Sequence, residues 1–503
     1  MEREPHIQDQ DITFTEEIVL SHTKSPSVGF SFGWTVLCTL VFLGGMGLLV
    51  WSYDSITALE RVDQPERALE HIVSRSMNLE SSLIQASPWE QSLYQLLKGQ
   101  SETLKPLVQW YSELANETVD PLNALYAGVL EAESGSLDQM NRRVETWDGD
   151  DEQLQGFREI LETAYGAEVR DGEDILLLQA RLAEEVPDNW FYGRLAIQLA
   201  KAGHDTTFLR MTQGHVQGRQ SQLFWRNRLL MITEVGGAVM SLLALLIVIG
   251  IRYRKGKEGL IVGHAVLPPP WVGGDGFAVF MRGAAVTFLL LSGLGALLGA
   301  YFSFMNGEVN EKFMELMSSI ILYVPIPLVL YYYLLRPKGQ SLRQVFGLQL
   351  RHGKTGVLFL SVLSLFACGL FGDLVISVAG DTIGKSTHWT EWFNDSLVWG
   401  DITDLAILFL EVVVLAPVFE EIIFRGIVYA SLRRRFGWVW SAVLSTAIFA
   451  IVHGYGIVGL FAVGWSGFLW AWAYEKTGSL LPGIAAHALN NFVFLASLLV
   501  VFR

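Results

Sequence analysis

Nine apolar stretches, most of them long enough to cross a bilayer, leave this chain few ways to fold. They run Phe32–Trp51, Val235–Ile251, Gly283–Met305, Phe313–Leu335, Thr355–Val378, Leu405–Ser431, Trp438–Val452, Ile457–Tyr474 and Leu480–Phe502. Runs of roughly 18 apolar residues mark spanning helices, because in lipid each backbone N–H and C=O must be satisfied within the segment. Only 17% of the 503 residues are charged, against about a quarter in an ordinary soluble domain. The expected fold is all-α: a polytopic membrane helix bundle with nine transmembrane helices.

A long polar block separates the first two spans. Residues 54–226 hold 29 acidic and 15 basic side chains, residues 1–31 hold 6 and 2, and the remainder holds 16 and 19. The formal charge of −15 therefore belongs mainly to the insert, and it argues against a nucleic-acid partner. Leu69–Leu83, Leu154–Tyr165 and Ile175–Glu185 place apolar residues three and four apart, as amphipathic helices do. Turn signals such as Ser134-Gly135-Ser136 and Asp148-Gly149-Asp150 divide them. Val186-Pro187-Asp188-Asn189-Trp190 followed by Leu195–Ala202 has the look of a helical-repeat unit, but no clean period of about 34 residues emerges.

The first 31 residues carry Glu16 and Glu17 and lack the basic n-region of a signal peptide, so the first span is read as uncleaved. The expected layout is a cytoplasmic tail (1–31), a first span (32–53), an acidic helical extracytoplasmic domain (54–226), further transmembrane helices (227–339) and a core (340–503). Both cysteines, Cys38 and Cys368, fall inside spans, so neither a disulfide framework nor a cysteine zinc site is available. Orientation follows from the lysines and arginines of the short loops. With the N-terminus inside, the inner loops carry 14, among them Arg252, Arg254, Arg433, Arg434 and Arg435, against Lys312, Lys385 and Arg503 outside. The expected localisation is thus a multi-pass integral membrane protein with residues 54–226 outside the cytoplasm, in the plasma membrane, or the inner one if bacterial.

Three polar clusters lie inside the last apolar spans: Glu420-Glu421 with Arg425, then His453, then His487 with Asn491. An ionised side chain at a helix centre costs roughly 2.5–3.5 kcal/mol on insertion scales, so such groups pair or work. At about 100° per residue, Glu421 and Arg425 stand roughly 40° apart and can pair, whereas Glu420 and Arg425 are about 140° apart. Glu420 is therefore the carboxylate left unpaired by its own helix. His487 and Asn491 share a face. Counted at ~1.5 Å per residue from the nearest inner-loop charge, Glu420 stands ~20 Å up, His453 ~27 Å, His487 ~16 Å and Asn491 ~22 Å, close enough in depth to meet in one cavity. Singly, each has an ordinary explanation: a packing histidine, an internal ion pair, an interhelical amide. Together, within 72 residues, they do not. Glu234, Asp373 and Arg282 lie near span ends, and Glu411, about 180° round the helix from Glu420, suits a structural or gating role.

The run E-E-x-x-x-R, F-x-x-x-H and H-x-x-x-N on successive helices resembles the three motifs of the CPBP (CAAX protease and bacteriocin-processing, or Abi) family. The resemblance covers roughly residues 340–503, including Phe346-Gly347-Leu348 and the turn Glu475-Lys476-Thr477-Gly478-Ser479, and leaves residues 1–260 without a counterpart. It implies an intramembrane endopeptidase resembling the type II CAAX prenyl endopeptidases, acting on a membrane-associated or lipidated (CAAX-like) substrate from the cytoplasmic side. Carried over, Glu420 would be the general base, His453 would help hold the water, and His487 and Asn491 would stabilise the oxyanion. Glu421 and Arg425 would shape the site. Family members have been described both as metalloproteases and as metal-independent. The expectation is water activation without an obligatory metal; the alternative is Zn2+ held by Glu420, His453 and His487, a three-ligand set with an open fourth position. The expected partners are that substrate, the lipid bilayer and an extracytoplasmic protein for residues 54–226. Two other functions stay open: a non-enzymatic scaffold or maturation factor on the same fold, and a transporter, for which no inverted repeat is visible.

Overall fold

The computed structural model describes residues 29–503 except 56, 85, 99–103, 148, 167–171 and 306–310. Most of the expected N-terminal tail thus lies outside the described residues. Every described element is helical, with no strand among the described residues. The first helix, α1 (Phe32–Ser55), is followed by eight helices of the polar block: α2 (Pro65–Leu83), α3 (Pro88–Lys98), α4 (Leu104–Glu117), α5 (Pro121–Glu133), α6 (Leu137–Glu145), α7 (Glu152–Tyr165), α8 (Gly172–Glu185) and α9 (Trp190–Ala202). Helix α10 (Thr206–Lys255) then runs 50 residues without a break. The bundle continues with α11 (Gly273–Met305), α12 (Lys312–Lys338), α13 (Thr355–Thr382), α14 (Ile402–Leu432), α15 (Trp438–Ile451), α16 (Ile457–Thr477) and α17 (Leu481–Phe502).

Seven of these, α10 to α14, α16 and α17, are long and apolar enough to cross a membrane. Phe32–Leu48 within α1, and α15, are shorter apolar helices. The chain is a multi-pass integral membrane protein of the all-α class. Its expected domain limit at 226 falls inside α10, whose first half packs on the inserted helices and whose second half is the span.

Local chemistry explains where the inserted helices start. Asp120 accepts from Leu122 N at 2.9 Å with Pro121 at the first helical position, and Asp151, Asn189 and Asp205 cap α7, α9 and α10 in the same way. Such caps satisfy N–H groups that the first turn leaves open. Between these helices lies an aromatic and aliphatic core, with Tyr126 stacked on Phe191 at 3.9 Å and Tyr111 edge-on to both. That core does not end at the insert. Trp389, Val398 and Phe502 belong to it, so the loop between α13 and α14 and the end of α17 are packed against the inserted helices. Across the same seam His388 Nε2 lies 3.5 Å from Glu113 Oε2, and His71 Nε2 donates to the Phe502 carbonyl at 2.6 Å.

At the other end of the bundle the two segments singled out in sequence meet. Leu480 N bonds the Phe346 carbonyl at 3.1 Å and Ser479 Oγ bonds the Gly347 carbonyl at 2.6 Å. Gly478, at φ +62°, lets the turn after α16 present its carbonyl to Ala265 N at 2.8 Å. This ties α16 and α17 to the segments preceding α11 and α13, and fixes the depth at which His487 enters the bundle.

Candidate intramembrane active site

Glu420 and Glu421 lie at the middle of α14, where the helix changes its winding. Leu410–Leu415 and Glu421–Tyr429 are π-helical, and Ala416–Glu420 between them is α-helical. π-Turns are rare and concentrate at functional sites, since i→i+5 bonding re-aims side chains relative to an α-helix. The pairing expected from helical spacing is present: Arg425 Nη1 stands 2.9 Å from Glu421 Oε1, with both side chains fully buried. The guanidinium also lies over the Phe449 ring at 4.3 Å and near Trp470 at 5.2 Å. Two glycines make the room. A Cβ on Gly467 would come within 2.6 Å of Arg425 Nη2, and one on Gly483 within 3.1 Å of Glu421 Oε2.

Glu420 points elsewhere. Its Oε2 is buried, has no hydrogen-bond partner of its own, and lies 4.0 Å from His453 Nε2 and 3.9 Å from His487 Nε2. α14, the turn after α15, and α17 thus bring their polar groups to one point.

The rings are oriented by their other nitrogens. His453 Nδ1 is 2.6 Å from the Phe449 carbonyl, which can only accept, so Nδ1 carries a proton and Nε2 is the nitrogen turned to Glu420. His487 Nδ1 faces Glu421 Oε1 at 3.5 Å, and its ring stacks on Trp470 at 4.0 Å. At 4.0 Å, His453 Nε2 and Glu420 Oε2 are too far apart for a direct hydrogen bond. A bent water donating to both at ~2.8 Å spans roughly 4.0–4.5 Å, so the Glu420–His453 gap is water-sized. The same distances test the zinc alternative. Ligand atoms on tetrahedral zinc, with bonds of ~2.0–2.2 Å, lie roughly 3.3–3.6 Å apart. Glu420 stands further than that from both imidazoles, and among the described residues no group of three or more His, Cys, Asp or Glu is gathered tightly enough for a metal. As placed, the set does not fit zinc.

Asn491 reaches across to α14. Its Nδ2 donates to the Val412 carbonyl at 2.8 Å. The reason is written in α14. Ala416 N–H goes to Glu411 O in the π-turn, and the residue five after Val412 is Pro417, which has no N–H. Val412 O is left without its helical donors, and Asn491 supplies one. The structure therefore connects Asn491 to the helix that carries Glu420, eight residues before it.

Several residues at the site were not singled out in sequence. Phe449 was noted only as a motif letter, yet its carbonyl sets the His453 tautomer and its ring meets Arg425, His487 and Trp470. Tyr323 on α12 stacks on Phe419 at 5.7 Å, just beside Glu420. The same face of α12 holds α14 higher up, through Lys312 to Asp401 and Asp404 at 2.7 and 2.8 Å and Ser319 Oγ to Glu411 at 2.6 Å. Lys312, Glu315, Ser319 and Tyr323 at spacings of three and four were the available signal. Glu411 has a structural partner, as do Glu234, which accepts from Ser497 Oγ at 2.7 Å, and Arg282, which donates to the Ser31 carbonyl at 3.0 Å.

A multi-pass helical bundle thus holds an unpaired glutamate against two imidazoles at its last spans, and the comparisons with known proteins fall on the same region. Residues 402–493 match the family model described as type II CAAX prenyl endopeptidase Rce1-like. The chain is also 29% identical over 158 residues to the "Putative membrane peptidase YdiL" of Bacillus subtilis (strain 168), a match covering 30% of this chain and 62% of that relative. The matched region thus spans less than two thirds of the relative's length. No solved structure matches the chain.

Proposed function

We propose that the protein is an intramembrane endopeptidase in which Glu420 is the general base. The observation that carries this is the placement of a buried, unbonded carboxylate oxygen 3.9–4.0 Å from the Nε2 atoms of His453 and His487. A water in the Glu420–His453 gap donates one hydrogen to Glu420 Oε2 and the other to His453 Nε2, leaving an oxygen lone pair free. As that oxygen attacks the scissile carbonyl carbon, Glu420 takes its proton, the step in which a positioned base contributes about 10²–10⁴-fold. The carbonyl oxygen becomes an oxyanion. His487 serves it from Nε2 when that nitrogen carries a proton, with Nδ1–H directed at Glu421. Collapse breaks the C–N bond, and the proton on Glu420 passes to the leaving amine. The low-dielectric surroundings strengthen each of these contacts. Asn491 keeps one Nδ2 hydrogen beyond the Val412 bond that could reach the oxyanion as the resemblance implies.

The substrate on this reading is a membrane-associated or lipidated, CAAX-like peptide entering from the cytoplasmic side, and the inserted domain faces the other side, available to an extracytoplasmic partner. No metal is required. Comparing protein C-termini between cells carrying wild type and Glu420→Gln tests the whole reading: new termini that vanish in the variant support it, and identical sets of termini sink it. Full activity of the purified protein after exhaustive chelation supports the metal-free step, and loss restored by Zn2+ overturns it. Protease digestion of right-side-out and inverted vesicles reads the orientation; cleavage of the insert only in inverted ones would reverse it.

A further inference from the structure

Where the inserted helices meet the bundle there is a second polar cavity, of about 340 Å³, away from Glu420. Arg75 on α2, Arg219 and Arg226 on α10 and Arg503 after α17 line it. Three of these four guanidiniums come from the block with 29 acidic and 15 basic residues, against its composition.

Their partners are unequally shared. Arg219 is engaged, with Nη1 at 2.9 Å from Asp188 Oδ1, and Asp188 also takes His215 Nε2 at 2.9 Å. Glu70, the other acid in the wall, is occupied by Asn189 and Ser74. The remaining three arginines have no side-chain carboxylate within ion-pair distance among the described residues. Arg75 makes one long bond, Nη2 to the terminal main-chain oxygen of Arg503 at 3.4 Å, and Arg503 makes one to the Leu397 carbonyl at 3.4 Å. Burial, and then the charge of Arg226 facing it, work against the protonated form of Arg75. The terminal oxygen of Arg503 offsets part of this charge, and the wall still sets four guanidiniums against the side chains of Glu70 and Asp188, a surplus that suits an added anion.

The height of the cavity says which anion. Arg226 precedes exposed, apolar Leu229 on α10 by three residues, or ~4.5 Å of rise. Exposed Trp225 beside it is the kind of residue that settles at headgroup level, and Arg503 follows the last residue of α17. The rim of the cavity therefore stands where the helices leave the apolar layer. Guanidinium forks match phosphate oxygens two at a time, and basic pockets between spanning helices take lipid headgroups. We propose that this cavity binds a phosphate-bearing anion at the membrane surface through Arg75 and Arg226, with Arg503 closing it.

The test uses the full chain, purified in neutral detergent, with unfolding followed by temperature. One arm adds phosphatidylglycerol against phosphatidylcholine, the other inorganic phosphate. Wild type should be stabilised by phosphatidylglycerol, with at least tenfold weaker apparent affinity in Arg75→Gln/Arg226→Gln. A response to inorganic phosphate that the double variant also loses supports a free phosphate as the natural ligand; a response to phosphatidylglycerol alone supports the headgroup. Equal responses of wild type and variant to both probes overturn the proposal, as does stabilisation by polyglutamate with none by either phosphate probe. Arg226→Gln alone, at an exposed position, guards against a folding defect and should lose several-fold. Glu420→Gln should bind as wild type does, so this outcome is read independently of the peptidase.

Discussion

At Glu420 and Glu421, adjacent residues of one type do different work because their helix turns one towards a cation and the other towards two imidazoles. Glu421 and Arg425 are fully buried and depend on each other. Removing one member of such a pair strands the other charge, at a cost of about 3–5 kcal/mol. Arg425→Ala is therefore expected to lower folded yield and Tm sharply, while Arg425→Ala/Glu421→Ala recovers much of the loss. A double variant no more stable than the single one would remove the pair from the account. Glu420→Gln, by contrast, is nearly isosteric at an unbonded oxygen, so it should leave Tm within a degree or two and lower kcat by about 10²–10⁴-fold. His453→Gln should lower kcat as well, since no amide reproduces a ring fixed by the Phe449 carbonyl.

At the scale of elements, the bond from Asn491 to Val412 and the missing N–H of Pro417 form one device. Leaving Val412 O bare in Asn491→Ala should cost about 1–3 kcal/mol. In a Pro417→Ala background, where the backbone regains a donor, the same change should cost distinctly less. Equal losses in both backgrounds, measured by denaturation, would show that Asn491 does not brace α14. In the insert, Glu133 offers a pH test. Burial opposes its charge, but Arg194, Tyr165 and Gln198 outweigh burial and hold the carboxyl below its ordinary range. Arg194 Nη2 is 2.5 Å away and Tyr165 Oη donates at 2.7 Å. A depressed folded-state pKa contributes stability above the ordinary carboxylate range and loses it as pH falls through that range towards the depressed value. Wild type should accordingly lose more stability between pH 6 and pH 3 than Glu133→Gln does. Parallel pH profiles for the two would contradict this.

For the molecule as a whole, the insert and the bundle share one apolar core through Trp389, Val398 and Phe502. Trp389 is fully buried there, and its replacement by Ala should cost about 3–5 kcal/mol. Because the cost falls on the junction, limited proteolysis should cut the inserted helices of Trp389→Ala well before those of wild type. Unchanged cleavage would mean that the insert stands on its own.

How much of this could be read beforehand depends on the range of the interaction. Lipid forbids unsatisfied backbone, so long apolar runs could only be helices, and the class of fold followed from them. The Glu421–Arg425 pair is a contact between residues four apart, and helical geometry alone separated it from Glu420. His453 and His487 were legible as polar groups too costly to leave idle in lipid. Their meeting at Glu420 was an inference from depth, and the distances were decided by the packing of α14, α15 and α17. That Asn491 shares a face with His487 was legible from their spacing; its bond to Val412 arises from a π-turn and a proline on another helix, which no spacing on its own helix can report. The arginine cavity and the shared core at Trp389 join residues more than 200 positions apart. Chain order carries the local periodicity of burial and charge; which distant faces touch is settled only when the helices pack.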